Sequence, residues 1–206
     1  MGHWPDRDTE WERSPAGFMS VTMAVLASGN GSNLQAMIDA IREHRLDAEL
    51  RIVISDQPKA YALERAKAGK IPTALIASKE RAVFEQELAS QLRQSGAEWI
   101  VLAGFMRILS APFVAAHRNR IVNIHPSLLP LFPGKDAIGQ AWRAGVTETG
   151  CTVHYVDEGV DTGPIIRQTK VAIQPGDTLE TLTERMHHAE HQLYVEVLRM
   201  ISEGTI

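Results

Sequence analysis

The chain has 206 residues, 21 lysines and arginines against 25 aspartates and glutamates, a formal charge of −4, and 44% hydrophobic residues. At about 150 residues per domain that length favours one compact domain, and a chain that buries about 70% of its unfolded surface needs no disulfide or metal staple. The mild acidity argues against a phosphate-backbone binder, no window approaches the roughly 18 consecutive apolar residues of a membrane span, and the single cysteine, Cys151, rules out an intramolecular disulfide framework. Neither nucleic acid nor membrane is therefore expected as a partner.

Residues 1–20 are polar and charged (Asp6, Arg7, Asp8, Glu10, Glu12, Arg13), with no apolar core of a signal peptide. They read as a flexible extension, through which Trp4 and Trp11 could dock, ahead of a catalytic domain over 21–206. A cytoplasmic protein is the expectation, and the Asn30-Gly31-Ser32 sequon then carries no meaning. From Val21 onward short apolar runs alternate with segments of helical period, the pattern of an α/β fold. Strands are predicted over 22–27, 50–54, 73–76, 99–103 and 121–124, several apolar enough to be covered on both faces. The segments 33–43, 60–68 and 81–94 carry apolar residues at three-and-four spacing, as crossover helices should. After Gly134 the rhythm changes. Strands over 151–156 and 164–173 flank a turn-rich segment, predicting antiparallel pairing. Asp177, with Glu180 three residues on, predicts the N-cap of a long helix to about Ile201 with an apolar stripe of Leu179, Leu182, Met186, Leu193, Val197 and Ile201. The fold expected is an open, mostly parallel twisted sheet flanked by helices, with antiparallel strands toward the C-terminus.

Four segments carry chemistry. Ser28-Gly29-Asn30-Gly31-Ser32-Asn33 follows the first strand and opens the first helix, where small residues let backbone N–H groups approach a phosphate. The third glycine of a dinucleotide fingerprint is replaced by Leu34, although Asp56 could imitate its ribose-binding acid; a tight strand-to-helix turn is the bland alternative. Asn123-Ile124-His125-Pro126-Ser127-Leu128-Leu129-Pro130 ends a strand, and alternation puts Asn123 and His125 on one face, where an amide and an imidazole can converge on one atom. A structural histidine at a strand end is the competing reading. Asp161 lies in the Asp157–Gly163 loop, either as a turn residue or as the carboxylate that orients His125. Gly104-Phe105-Met106-Arg107-Ile108-Leu109 could wall a flat heteroaromatic ligand, or simply pack onto the next helix. His187-His188-Ala189-Glu190-His191 matches an inverted zinc-peptidase string but lacks an obvious further ligand, so no metal is expected. Glu190 interrupts an apolar stripe and needs a partner, for which ligand hydroxyls are one candidate.

Taken together and in this order, these motifs resemble the glycinamide ribonucleotide transformylases (phosphoribosylglycinamide formyltransferases), a family of small folate-dependent formyltransferases with a Rossmann-like fold. The resemblance covers 21 to about 200 and includes the run Ala103-Gly104-Phe105-Met106-Arg107-Ile108-Leu109-Ser110. It implies a catalytic trio of Asn123, His125 and Asp161. It implies further that Gly31, Ser32 and Asn33 hold the ribonucleotide phosphate, that Glu190 takes the ribose hydroxyls, and that the Met106 backbone meets the glycinamide end. Arg107, Ile108 and Leu109, with Asn123, Val156, Asp157 and Asp161, would hold the folate, and Arg81 would meet its tail or the phosphate. The segment Pro133-Gly134-Lys135-Asp136-Ala137 lacks histidines that some members carry.

The implied reaction moves the formyl group of 10-formyltetrahydrofolate to the amine of glycinamide ribonucleotide in purine synthesis. Only small-molecule partners are implied, and the enzyme would be a monomer or homodimer. A 10-formyltetrahydrofolate hydrolase or a methionyl-tRNA formyltransferase would share the fold, but each carries an extra domain for which 206 residues leave no room. A noncatalytic nucleotide or folate binder would have no use for Asn123, His125 and Asp161 together.

Overall fold

The computed structural model describes residues 20–206. The expected N-terminal extension, with Trp4 and Trp11, lies outside the described residues apart from Ser20. The described chain runs β1 (Val21–Leu26), α1 (Ser32–Arg42), β2 (Ala48–Ser55), α2 (Tyr61–Ala68), β3 (Thr73–Leu75), α3 (Arg81–Ser95), β4 (Trp99–Leu102), α4 (Ala111–Ala116), β5 (Ile121–His125), α5 (Ala137–Ala144), β6 (Glu148–Tyr155), β7 (Ile165–Ala172) and α6 (Leu179–Ser202). The strands form one sheet in the order β3-β2-β1-β4-β5-β6-β7. Pairing is parallel from β3 to β5 and antiparallel from β5 to β7. The mostly parallel sheet with an antiparallel C-terminal part is the architecture the sequence predicts.

Period-2 alternation explains why the central strands read as unbroken apolar runs. Met23 and Val25 of β1 pack into a core shared with α1, α2 and α6, whereas Ala24 and Leu26 face the opposite core built on Phe84 and Leu88 of α3 and Phe113 of α4. Strand order reverses between β1 and β4, so the loops after these two strands diverge and open a crevice at the carboxyl edge of the sheet.

The structure corrects two local expectations. The N-cap of α6 is Thr178, not Asp177: Thr178 and Thr181 exchange side-chain to backbone hydrogen bonds in a capping box. Asp177 instead accepts two hydrogen bonds from the Arg185 guanidinium, which holds its carboxyl far below the usual carboxylate range. Leu179, counted in the apolar stripe, is 41% exposed because it lies in the first turn, before the helix reaches the core. Two short helices escape the periodicity argument. Six-residue α4 is too short for a stripe, although Ser110 caps it and Pro112 sits in its first turn; α5 is masked by Gly139 in its interior.

Candidate functional site

The first wall of the crevice is main chain. Gly31 caps α1 at φ 76°, with no side chain capping the helix, and a Cβ here would lie 2.7 Å from the Ala62 Cβ. Only glycine fits both the left-handed backbone and the contact with α2. Among the described residues, the amides of Asn30, Gly31, Ser32 and Asn33 donate to no protein acceptor, so the loop and the first turn of α1 present a row of N–H groups. Asn33 adds a carboxamide oxygen that is buried without a partner.

The loop after β4 is tied to the first. Ser28 N–H donates to the Gly104 carbonyl at 3.0 Å, and Met106 N–H donates to Ser28 Oγ at 2.9 Å, while the same hydroxyl donates to Asp56 Oδ1 at 2.6 Å. The Met106 amide is thus engaged by protein, leaving its carbonyl as the group this backbone can offer a ligand. Arg107 lines the crevice and is likewise engaged by protein. Its guanidinium donates to the Ser78 carbonyl at 2.6 Å and lies 3.9 Å over the Phe84 ring, so it fastens the loop to the neighbouring segment. Met106 and Ile108 are exposed and Leu109 is buried, and all three line the crevice. Arg81, exposed in the first turn of α3, is not brought to it.

The reaction end is built across β5 and β6. Asn123 and His125 share a face of β5, and antiparallel pairing sets Asn123 directly opposite His154 of β6. His154 Nδ1–H donates to the Tyr155 carbonyl at 2.8 Å, which leaves Nε2 to accept from the Asn123 amide at 3.2 Å. The His125 ring is fixed from the other side, where Nε2–H donates to the Phe132 carbonyl at 2.9 Å. Its Nδ1 faces Asp161 Oδ2 at 3.4 Å. Asp161 Oδ2 also accepts from Gly134 N–H at 2.8 Å, and Oδ1 lies 3.7 Å from His154 Nε2. Burial pushes the Asp161 carboxyl up, but a proton at His154 Nε2 when that ring is charged, the Gly134 amide and the charge available at His125 outweigh it and hold the group below its ordinary value. Asn123, His125 and Asp161 therefore do meet. His154, 2% exposed, is the member that sequence reasoning missed; the available signal was Thr152 and His154 alternating as polar positions in an apolar strand.

Helix α6 closes the crevice with Leu179, Thr183, His187 and Glu190, one stripe running from mouth to floor. Glu190 is 6% exposed and accepts no hydrogen bond from a described residue; burial alone pushes its carboxyl up to about 7. Of the paired histidines in the zinc-like string, His187 lines the crevice and His191 does not. Together the two glycine-bearing loops, the end of β5, the 134–139 segment, the Val156–Asp161 loop and α6 enclose one cleft of about 1000 Å³. The N–H row comes from the loop after β1, Glu190 from α6, the apolar loop from the end of β4, and the side-chain network from β5, β6 and the Asp161 loop.

The model of the formyl transferase family matches residues 21–198. Phosphoribosylglycinamide formyltransferase of Bacillus subtilis is 48% identical over 181 residues, which are 86% of this chain and 93% of that protein. The trifunctional purine biosynthetic protein adenosine-3 of Drosophila pseudoobscura is 53% identical over 189 residues; these are 89% of this chain but 14% of that protein's length, so this chain spans a small part of the larger relative. Among solved structures, glycinamide ribonucleotide transformylase 1 of Geobacillus kaustophilus superposes with a TM-score of 0.85 at 49% identity, covering 89% of this chain and 99% of that one.

Proposed function

The chain belongs to the formyl transferase family, and we propose that it transfers the formyl group of 10-formyltetrahydrofolate to the amine of glycinamide ribonucleotide, yielding formylglycinamide ribonucleotide and tetrahydrofolate for purine synthesis. The observation that carries this reading is the convergence of Asn123, His125 and Asp161 in one cleft that a row of N–H groups and an apolar loop also line. A phosphate suits the amides of Gly31, Ser32 and Asn33, and a ribose can give its hydroxyl hydrogens to Glu190. The far side of the cleft, with Ile108, Leu109, Val156 and Asp157 beside Asn123 and Asp161, suits a flat pterin whose edge needs hydrogen bonds.

Attack of the substrate amine on the formyl carbon creates a tetrahedral oxyanion. His125 can meet it through Nδ1–H, because Nε2–H is already held by Phe132, and Asn123 has a second amide hydrogen once the first is given to His154. One such donor lowers a barrier by about 3 kcal/mol. Asp161, kept ionised by its neighbours, takes the proton the amine loses as the C–N bond forms. His125 gives a proton to the folate nitrogen as its bond to the formyl carbon breaks, and the Asp161 to His125 contact returns a proton to the ring. Every group in this scheme is a side chain already held by a second hydrogen bond.

The test follows loss of the formyl group from 10-formyltetrahydrofolate with and without glycinamide ribonucleotide. Deformylation only with the nucleotide, and one formylated product per turnover, supports the transferase. Equal rates without it would make the chain a hydrolase, and no turnover in either mixture a binding protein.

A further inference from the structure

Helix α2 contributes no residue to the cleft wall, yet it grips the glycine-bearing loop from behind. Ala62 N–H donates to the Gly29 carbonyl at 3.1 Å. Arg65 Nε–H donates to the Asn30 carbonyl and a terminal N–H of the same guanidinium to Asn30 Oδ1, both at 2.9 Å; its other terminal nitrogen reaches Gln35 Oε1 at 3.2 Å. The Gly31 carbonyl accepts the first bond of α1, from Gln35 N–H at 2.9 Å. Three successive carbonyls, of Gly29, Asn30 and Gly31, are thus pinned on the side away from the cleft.

In a trans peptide the carbonyl and the following N–H point in opposite directions. Pinning those oxygens therefore aims the N–H groups of Asn30, Gly31 and Ser32 forward. The middle unit, between Asn30 and Gly31, is the vulnerable one, because glycine accepts either sign of φ and a rotated peptide would turn an oxygen toward the bound anion. Arg65 is the group that holds it. Its guanidinium chelates the backbone and side-chain oxygens of the same residue, and its position is itself fixed by the Tyr61 ring 4.8 Å away.

We infer that Arg65 is a positioning residue for the phosphate subsite, locking the Asn30–Gly31 peptide so that the Gly31 amide faces the anion. This rests on the reading that the Gly31–Asn33 turn holds the nucleotide's phosphate. Arg65 need not touch the ligand. A guanidinium is required because a lysine ammonium keeps the charge but cannot hold the carbonyl, the carboxamide and Gln35 together in one plane.

The experiment compares Arg65→Met, Arg65→Gln and Arg65→Lys with the parent chain, measuring KM for nucleotide and for folate, kcat, and inhibition by ribose 5-phosphate. Arg65→Met is expected to raise the nucleotide KM and the ribose 5-phosphate inhibition constant about tenfold or more, with folate KM and kcat held within about twofold. Arg65→Lys should recover only part of the loss, and Arg65→Gln, which keeps a donor amide, supplies the comparison should the methionine variant fail to fold. An unchanged nucleotide KM in Arg65→Met or Arg65→Gln, or full recovery in Arg65→Lys, overturns the inference. If ribose 5-phosphate does not compete with nucleotide in the parent chain, the phosphate reading of the loop fails instead, and the two failures are distinct.

Discussion

The two ends of the cleft solve different problems with different atoms. At the end proposed to take the nucleotide the free groups are backbone amides of the loop after β1, and the side chains of Arg65 and Gln35 hold that loop from behind. At the reaction end the groups are side chains on β5, β6 and the Asp161 loop; three are held by a main-chain partner, Tyr155 for His154, Phe132 for His125 and Gly134 for Asp161, and Asn123 is held by the His154 ring. An anion of fixed charge needs only a fixed dipole, which main chain supplies without titrating. Proton movement needs groups that change state, and only side chains do that. Substitutions at the reaction end should therefore strike turnover, and those at the nucleotide end affinity and stability.

Asp161→Asn is the most severe test of that division. Asp161 sits at φ 55°, a conformation asparagine also tolerates, and a carboxamide oxygen can still accept from Gly134. What is lost is the charge and the proton acceptor beside His125. We expect kcat to fall about a thousandfold with the nucleotide KM nearly unchanged. Near-normal turnover in steady-state assays would remove Asp161 from the reaction, whereas a parallel loss of nucleotide affinity would dissolve the distinction between the two ends.

Glu190 crosses the boundary, being a titratable side chain at the nucleotide end. Its folded carboxyl titrates at about 7 against an ordinary 4.5, so between those values the folded state holds a proton that the unfolded chain has released. Stability contributed at low pH is therefore lost as pH rises from about 4.5 through 7. Urea unfolding should find Glu190→Gln equal to the parent near pH 4.5 and more stable by about 3 kcal/mol above pH 7. Ribose hydroxyls would favour the ionised form, so nucleotide binding should release a proton and tighten from pH 6 to 8. A parent stability that does not fall with pH relative to the glutamine variant would contradict the buried, unpartnered carboxyl.

His154 tests whether the reaction end depends on support as well as contact. Removing it frees the Asn123 amide to rotate, and a misaligned donor costs about a hundredfold in rate. We expect His154→Ala to lower kcat by that factor. His154→Gln, whose amide oxygen can accept from Asn123, should recover part of it. Equal rates for the two variants would mean that the ring does something other than hold the amide.

The same contrast explains what could be read from the chain alone. The parallel half was legible because its signals are local: apolar runs, crossover helices, and a glycine-bearing turn that follows a strand within a few residues. Asn123 and His125 were legible for the same reason, being two apart on one strand. His154 was not, because its role comes from antiparallel register with a residue 31 positions away, and no local pattern encodes register. Arg65 was missed on similar grounds, since its partners lie 30 and 35 residues off. Arg107 and Met106 show the same limit. Their segment was identified by resemblance and does line the cleft, but the hold of Ser78 on the guanidinium and of Ser28 on the amide are contacts between loops that only the folded chain brings together.

The smallest expected effect concerns the seam between the two ends. Tyr194 of α6 is fully buried, and burial keeps its phenol protonated far above the usual range. Its hydroxyl lies 2.9 Å from the Leu102 carbonyl of β4 and 3.1 Å from the Val122 carbonyl of β5, bridging the strand that leads into the apolar loop to the strand that carries Asn123. Tyr194→Phe keeps the ring and its packing but removes a buried donor shared by two carbonyls. That should lower stability by about 1 kcal/mol in urea unfolding. Because β4 and β5 remain joined by their own ladder through Ile100, Val101 and Leu102, the strands should keep their register without the bridge. Turnover and both KM values should then stay within about twofold of the parent. A drop in kcat out of proportion to the stability loss would show instead that the tyrosine sets the position of Asn123, and that the reaction end is not independent of the helix that walls the nucleotide.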